Sequence, residues 1–236
     1  MTGEVALRDG REMLVRVATS DDANAIAAEH PLPRDGDAPE RLYRNYYLVK
    51  ALIYARAPEA GVTTGWVGDE LAGFIFHCAN LEAVGRFTKS PRTLAWLAGE
   101  ACRGRFGCNP RLWLDLLRWG AQHFRQPGER EKADDEDIPE ISAWVGTVHT
   151  VPEFRRLGVA TELLASTEQR LAASGAEEVA LWVAVGNTGA QTLYEKLGYA
   201  TAGEYARVGE DCALMVKRLT QITDGSTRTP PPLGAS

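Results

Sequence analysis

The sequence predicts an α/β (α+β) domain, with helices packed on a mixed sheet. Three observations lead there. Short apolar segments with a period of two alternate along the chain with segments of helical period. One of these strands, residues 141–151, ends at Pro152 and runs through a basic turn with Gly158 into a helix. That helix carries Val159, Leu163, Leu164, Thr167 and Leu171 on one face. Third, the composition is that of a folded protein, 236 residues with 44% hydrophobic and 25% charged.

The same composition excludes several function classes. A net charge of −6 disfavours a general nucleic-acid partner. No apolar run reaches transmembrane length, so no membrane partner is expected. Glu4 and Asp9 near the start leave no apolar signal segment. Cys78, Cys102, Cys108 and Cys212 form no C-x-x-C and no metal set. The expectation is a reduced, cytoplasmic chain without a bound metal.

In chain order, residues 1–11 are polar and read as a frayed end. Residues 13–18 alternate as a strand, and Thr19-Ser20-Asp21-Asp22 suits an N-cap for a first helix through Ala23, Ile26 and Ala27. Pro31, Pro33 and Gly36 mark a loop, and residues 40–57 a second, tyrosine-rich helix. Residues 62–67 and 71–78 are strands joined by a hairpin turn at Gly68-Asp69. Residues 81–137 hold two helices, at 91–103 and 110–124, then a charged run with Asp134-Asp135-Glu136-Asp137. Pro91 and Pro110 suit first helical positions. After the helix that ends at Ser174-Gly175 come an apolar strand at 179–185, a short helix capped by Gly198, and strands at 202–208 and 212–217. The expected turn between these last two is Gly209-Glu210-Asp211. Residues 220–236, with a triple proline, read as a disordered tail.

A strand that feeds a helix N-terminus through a basic glycine turn aims backbone N–H groups and a helix dipole at one point. Phosphate is the natural occupant. The spacing Arg155-x-x-Gly158-x-Ala160 resembles the first signature of the GNAT superfamily of N-acetyltransferases. Asn187-x6-Tyr194-Glu195-Lys196-Leu197-Gly198-Tyr199 resembles the second. The resemblance implies one domain over 12–219, with 81–137 inserted between the third and fourth strands. It implies a mixed, mostly antiparallel sheet whose fourth and fifth strands splay apart.

The resemblance also implies acetyl-CoA as co-substrate. Val148, His149 and Thr150 would pair with its pantetheine arm, like an added strand. Arg155, Arg156, Leu157, Gly158, Val159, Ala160 and Thr161 would hold its pyrophosphate, and Asn187 would offer its side-chain amide to the arm. Glycine is needed at 158 because a Cβ there would block close approach. Tyr194 would be catalytic, giving a proton to the departing thiolate.

The attacking amine must be neutral, which calls for a base. Family members often carry Glu or His where this chain has Trp144 and Gly146. His149, Glu140, Glu29 and His30 qualify by location alone, and a route through bulk water stays open. Tyr43, Tyr46 and Tyr47 suit helix packing or an acceptor pocket, and the acidic run suits a solvated loop or a cation trap. The implied activity is acetyl transfer to a primary amine of an unidentified acceptor, with a homodimer allowed. Transfer to a hydroxyl, transfer of a longer acyl group, and a silent acyl-CoA sensor are the alternatives. The insertion would act as an acceptor lid or as an interface.

Overall fold

The computed structural model describes residues 2–30, 40–104, 141–207 and 210–220. In chain order its elements are β1 (Gly3–Ala6), β2 (Glu12–Val17), α1 (Ala23–Glu29), α2 (Glu40–Tyr54), β3 (Ala60–Val67), β4 (Glu70–Cys78), α3 (Leu81–Lys89), α4 (Pro91–Cys102), β5 (Ala143–Thr150), α5 (Val159–Ala173), β6 (Glu178–Ala184), α6 (Thr188–Lys196), β7 (Ala200–Arg207) and β8 (Glu210–Arg218). The eight strands form one sheet in the order β1-β2-β3-β4-β5-β6-β8-β7. Every neighbouring pair is antiparallel except β5 with β6.

Local chemistry sets most of the boundaries. Thr19 and Asp22 form a reciprocal capping box ahead of α1. Asp22 also takes a two-pronged ion pair from Arg16, at 2.6 and 2.7 Å. The Asn80 side chain accepts the Ala83 N–H and opens α3. Gly68, Gly175 and Gly198 take positive φ where hairpin and helices turn.

Three expectations need correction. Residues 3–6 are a strand, not a frayed end, so the sheet begins ahead of position 12. Residues 81–89 form a helix that the sequence reading missed. Glu210 and Asp211, expected in the turn, belong to the last strand, which starts at Glu210. The expected helix at 110–124, the acidic run, the loop at Pro31–Gly36 and the tail from 221 lie outside the described residues.

The sheet buries both faces. On one, α5 and α6 cover Val145, Val179, Leu181, Val183 and Met215. On the other, α1, α2 and part of α4 cover Val62, Phe74 and Phe76. Alternation along β4 produces this division: Ile75 faces α5, while Phe74 and Phe76 face α2. Each such fully buried side chain contributes roughly 1.5–3 kcal/mol. The buried hydroxyls Thr63 and Thr167 meet at 3.0 Å and satisfy one another between β3 and α5.

Candidate active site

β5 and β6 begin as a parallel pair and then part. Only Ala143, Trp144 and Val145 pair with Val179, Ala180 and Leu181. Among the described residues, from Gly146 onward β5 holds only to β4, and from Trp182 onward β6 holds only to β8. The fork coincides with a bulge, because three residue steps on β5 (Val148 to Val145) oppose two on β4 (Ile75 to His77). The open edges leave backbone donors and acceptors without a neighbouring strand, a geometry that takes an extended ligand as an added strand.

The Val151 N–H donates to Ala72 at 3.0 Å. By the alternation of an antiparallel ladder, His149 then turns its backbone to β4, while Val148 and Thr150 turn theirs to the open edge. Arg155 Nε caps the Thr150 carbonyl at 3.3 Å. The His149 ring lies over the α2 face, 5.2 Å from the Phe74 ring centroid.

At the mouth of the fork the chain makes a short 3-10 turn, Pro152–Phe154, and then two left-handed steps, Arg156 at φ 63° and Gly158 at φ 97°. Successive amides in such a turn point inward as an anion nest. The first bond of α5 back to this turn runs from Glu162 N–H to Gly158 C=O, 3.1 Å, so Val159, Ala160 and Thr161 keep the free amides of a helix N-terminus. A Cβ added at Gly158 would meet nothing within 4 Å. Within the chain, then, φ alone demands glycine, and the open space beyond it suits a phosphate. Both arginine side chains are exposed.

The N-terminal segment braces this turn. The Arg8 N–H donates to the Leu157 carbonyl at 3.1 Å, and the Arg11 guanidinium lies 4.8 Å from the Phe154 ring centroid.

Across the fork, Asn187 caps α6. Its side-chain oxygen accepts the Ala190 N–H at 3.2 Å, which fixes the amide so that its NH₂ can donate to a ligand. Tyr194, about two helical turns further on, is buried 5.8 Å from the Tyr199 ring. Burial pushes its phenol up to about 12.

This geometry agrees with what comparison finds. A family model described as the acetyltransferase (GNAT) family matches residues 25–199. The chain belongs to the GNAT acetyltransferase family. Members of this family transfer an acyl group from acyl-CoA. The GNAT fold is shared with solved structures of low identity. One is the GNAT domain of S. lividans PAT, at 13% identity and TM-score 0.54, covering 92% of this chain and 97% of that one. Another is Ard1 from Thermoplasma volcanium, at 12% and 0.52, covering 88% and 99%. A third is the ribosomal-protein-S18-alanine N-acetyltransferase from Escherichia coli, at 13% and 0.50, covering 90% and 97%. A search of curated proteins returned no match.

Within this GNAT sheet, the two positions where a strand base was sought hold none. Trp144 stacks on Trp182, with centroids 6.1 Å apart, and donates to the Ile141 carbonyl. Gly146 is exposed and has no side chain. Burial, with Arg155 nearby, lowers His149 to about 4, so it is neutral but weakly basic. Tyr47 stacks on His30 and Tyr46 meets Tyr47 edge-on, which is packing within the α2 layer. Among the described residues there is no cluster of three or more metal-ligating side chains, and no helix long and apolar enough to cross a membrane.

Sequence reasoning missed Lys50. It lies on α2, beside Phe76 and opposite the bulge. The signal was present, since a lysine stands among Tyr47, Leu48, Ala51, Leu52 and Tyr54 in a run whose apolar face must be buried.

Proposed function

We propose that this chain transfers the acetyl group of acetyl-CoA to a primary amine, by direct attack of the amine on the thioester. The observation that carries the reading is the fork between β5 and β6, which opens onto a left-handed basic turn at the N-terminus of α5. Val148 and Thr150 would hold the pantetheine arm along the open edge. Amides from Arg156 to Thr161 would hold the pyrophosphate. Asn187 would reach the arm through its NH₂. Backbone N–H groups at the bulge would stabilise charge on the carbonyl oxygen.

Acetyl-CoA supplies an activated acyl group and a thiol leaving group. Tyr194 would serve that departure as a hydrogen-bond donor. At about 12 its phenol stays protonated at any working pH. A free thiol has a pKa of ~8.5, so full proton transfer to an ordinary thiolate is uphill by about 5 kcal/mol. Tyr194 therefore stabilises the developing charge through the hydrogen bond. It completes the transfer as far as the same dry surroundings raise the basicity of the sulfur. Without a strand base, the amine reaches the site neutral or loses its proton to water.

The test is thiol release from acetyl-CoA over a panel of primary amines, with mass spectrometry of the products. Acetylated amine and stoichiometric thiol are expected. The bare positions Trp144 and Gly146 favour one second reading, an acyl-CoA sensor without turnover. Tight acetyl-CoA binding with no product from any amine would select it.

A further inference from the structure

Lys50 is a cation held in an aromatic cluster. Its Nζ lies 4.6 Å from the Phe76 ring centroid, 5.8 Å from Tyr47 and 5.9 Å from Tyr54. Among the described residues no carboxylate lies within ion-pair distance of it. Rings of this kind ease the desolvation of an ammonium in part, but they do not neutralise it.

Its place in the fold matters as much as its surroundings. Phe76 faces the bulge of β5, and a Cβ on Gly146 would come within 3.5 Å of Phe76 Cβ. Gly146 is exposed and starts the open edge of the fork. Lys50, Phe76 and Gly146 therefore share the α2 face of the sheet, opposite the face that α5 covers. An acceptor that approaches the fork on that face meets a fixed positive charge. The Lys50 ammonium already sits among these rings, and its charge repels a second cation there.

We propose that Lys50 binds an anionic group of the acceptor, and that the acceptor is a small amine that also carries a carboxylate. A single ammonium amid three rings, with no arginine fork, matches one negative charge better than a phosphate dianion. The word acceptor rests on the acetyl-transfer reading, whereas carboxylate binding at Lys50 does not.

Burial holds the Lys50 ammonium at about 8, although Cys78 opposes the shift. The other titratable groups facing it stay neutral there. Burial pushes Tyr47 up to about 12 and Cys78 up to about 11, and it raises Tyr46 and Tyr54 as well. A bound carboxylate must therefore raise the Lys50 pKa, and carboxylate affinity must fall as pH rises through 8.

The experiment is a titration of the full chain, with lysine Nζ resonances followed by NMR and Lys50 assigned from the Lys50→Met spectrum. The probes are the series from glycine to 5-aminovalerate, each beside its primary amide, with coenzyme A present. At pH 7 at least one amino carboxylate should bind at least tenfold tighter than its amide and raise the Lys50 pKa by more than one unit. Lys50→Met should abolish the preference, and Lys50→Arg should keep part of it. Equal affinity for acid and amide, no response at Lys50, or no binding of any probe would each overturn the proposal. If Lys50→Met fails to fold, the wild-type titration and Lys50→Arg still decide. Binding with a Lys50 response but no thiol release would leave the carboxylate site standing and remove the acetyl-transfer reading.

Discussion

Tyr194 and Gly158 act through different properties, and each has its own assay. Tyr194→Phe keeps the ring beside Tyr199 and removes the hydroxyl alone. We expect kcat to fall by ~10²-fold, the low end for a positioned acid because the phenol is a weak one, with acetyl-CoA affinity little changed. An unchanged single-turnover rate would exclude Tyr194 from the chemistry. Gly158→Val forces a β-branched residue to φ near 97°, a region closed to it. It also fills the open space beyond the turn. Acetyl-CoA affinity should drop at least tenfold, and calorimetry on the folded variant measures it. Lys50 belongs at this scale as well. A cation with no carboxylate beside it among the described residues, eased only in part by aromatic rings, destabilises the fold, so Lys50→Met should raise Tm at pH 7. The unfolded lysine titrates near ~10.4, so the unfolded chain keeps its proton longer. The destabilisation is therefore complete below pH 8, and the advantage of the variant should fade towards pH 10.5.

Among the elements, the hairpin of β1 and β2 bears on function most directly. It supplies Leu7 to the core, the Arg8 N–H to Leu157, and Arg11 to Phe154. Removing residues 2–8 should leave the rest of the sheet in place and loosen the turn at Arg156–Gly158. Acetyl-CoA affinity should fall several-fold with Tyr194 untouched, and calorimetry beside circular dichroism tests it. An unchanged affinity in the truncated chain would show that the turn holds itself. The sequence carried a signal for this hairpin, although residues 1–11 read as a frayed end. Asp9-Gly10 stands between alternating Val5, Leu7 and Met13, Val15, which is a strong short-range hairpin signal. The polar residues around it hid it. Strand β5, its turn and α5 could be read locally, because proline, glycine and a helical period fall within one short run. The bulge and the side of the fork that each strand shows could not, since register comes from β4 and β6, far away in the chain. Lys50 escaped for a related reason. Its burial depends on Phe76, which only tertiary packing brings beside it.

For the whole molecule, the buried bases set how stability depends on pH. Burial, with Arg170 near His77 and Arg155 near His149, lowers both imidazoles to about 4. His77 is nearly inaccessible, with Nε2 buried and unpaired, and His149 is half-buried, so His77 should dominate. In the unfolded chain both titrate near ~6.5, so the unfolded state takes up protons first as pH falls. Stability is therefore intact above pH 6.5 and lost as pH falls through 4, with a limiting slope of about 1.4 kcal/mol per pH unit for each histidine. Asp22 acts lower. Burial pushes its carboxyl up, but hydrogen bonds from Arg16 and the Thr19 N–H outweigh this, so its contribution is lost only below pH 3.8. The window between pH 6.5 and 4.5 thus isolates the histidines. Urea midpoints for the full chain should drop steeply across it. His77→Gln, which keeps a polar side chain of similar reach but cannot titrate, should flatten that limb by about half or more. Parallel curves for wild type and variant would mean that His77 takes up its proton equally well in both states, and that the acid limb has another source.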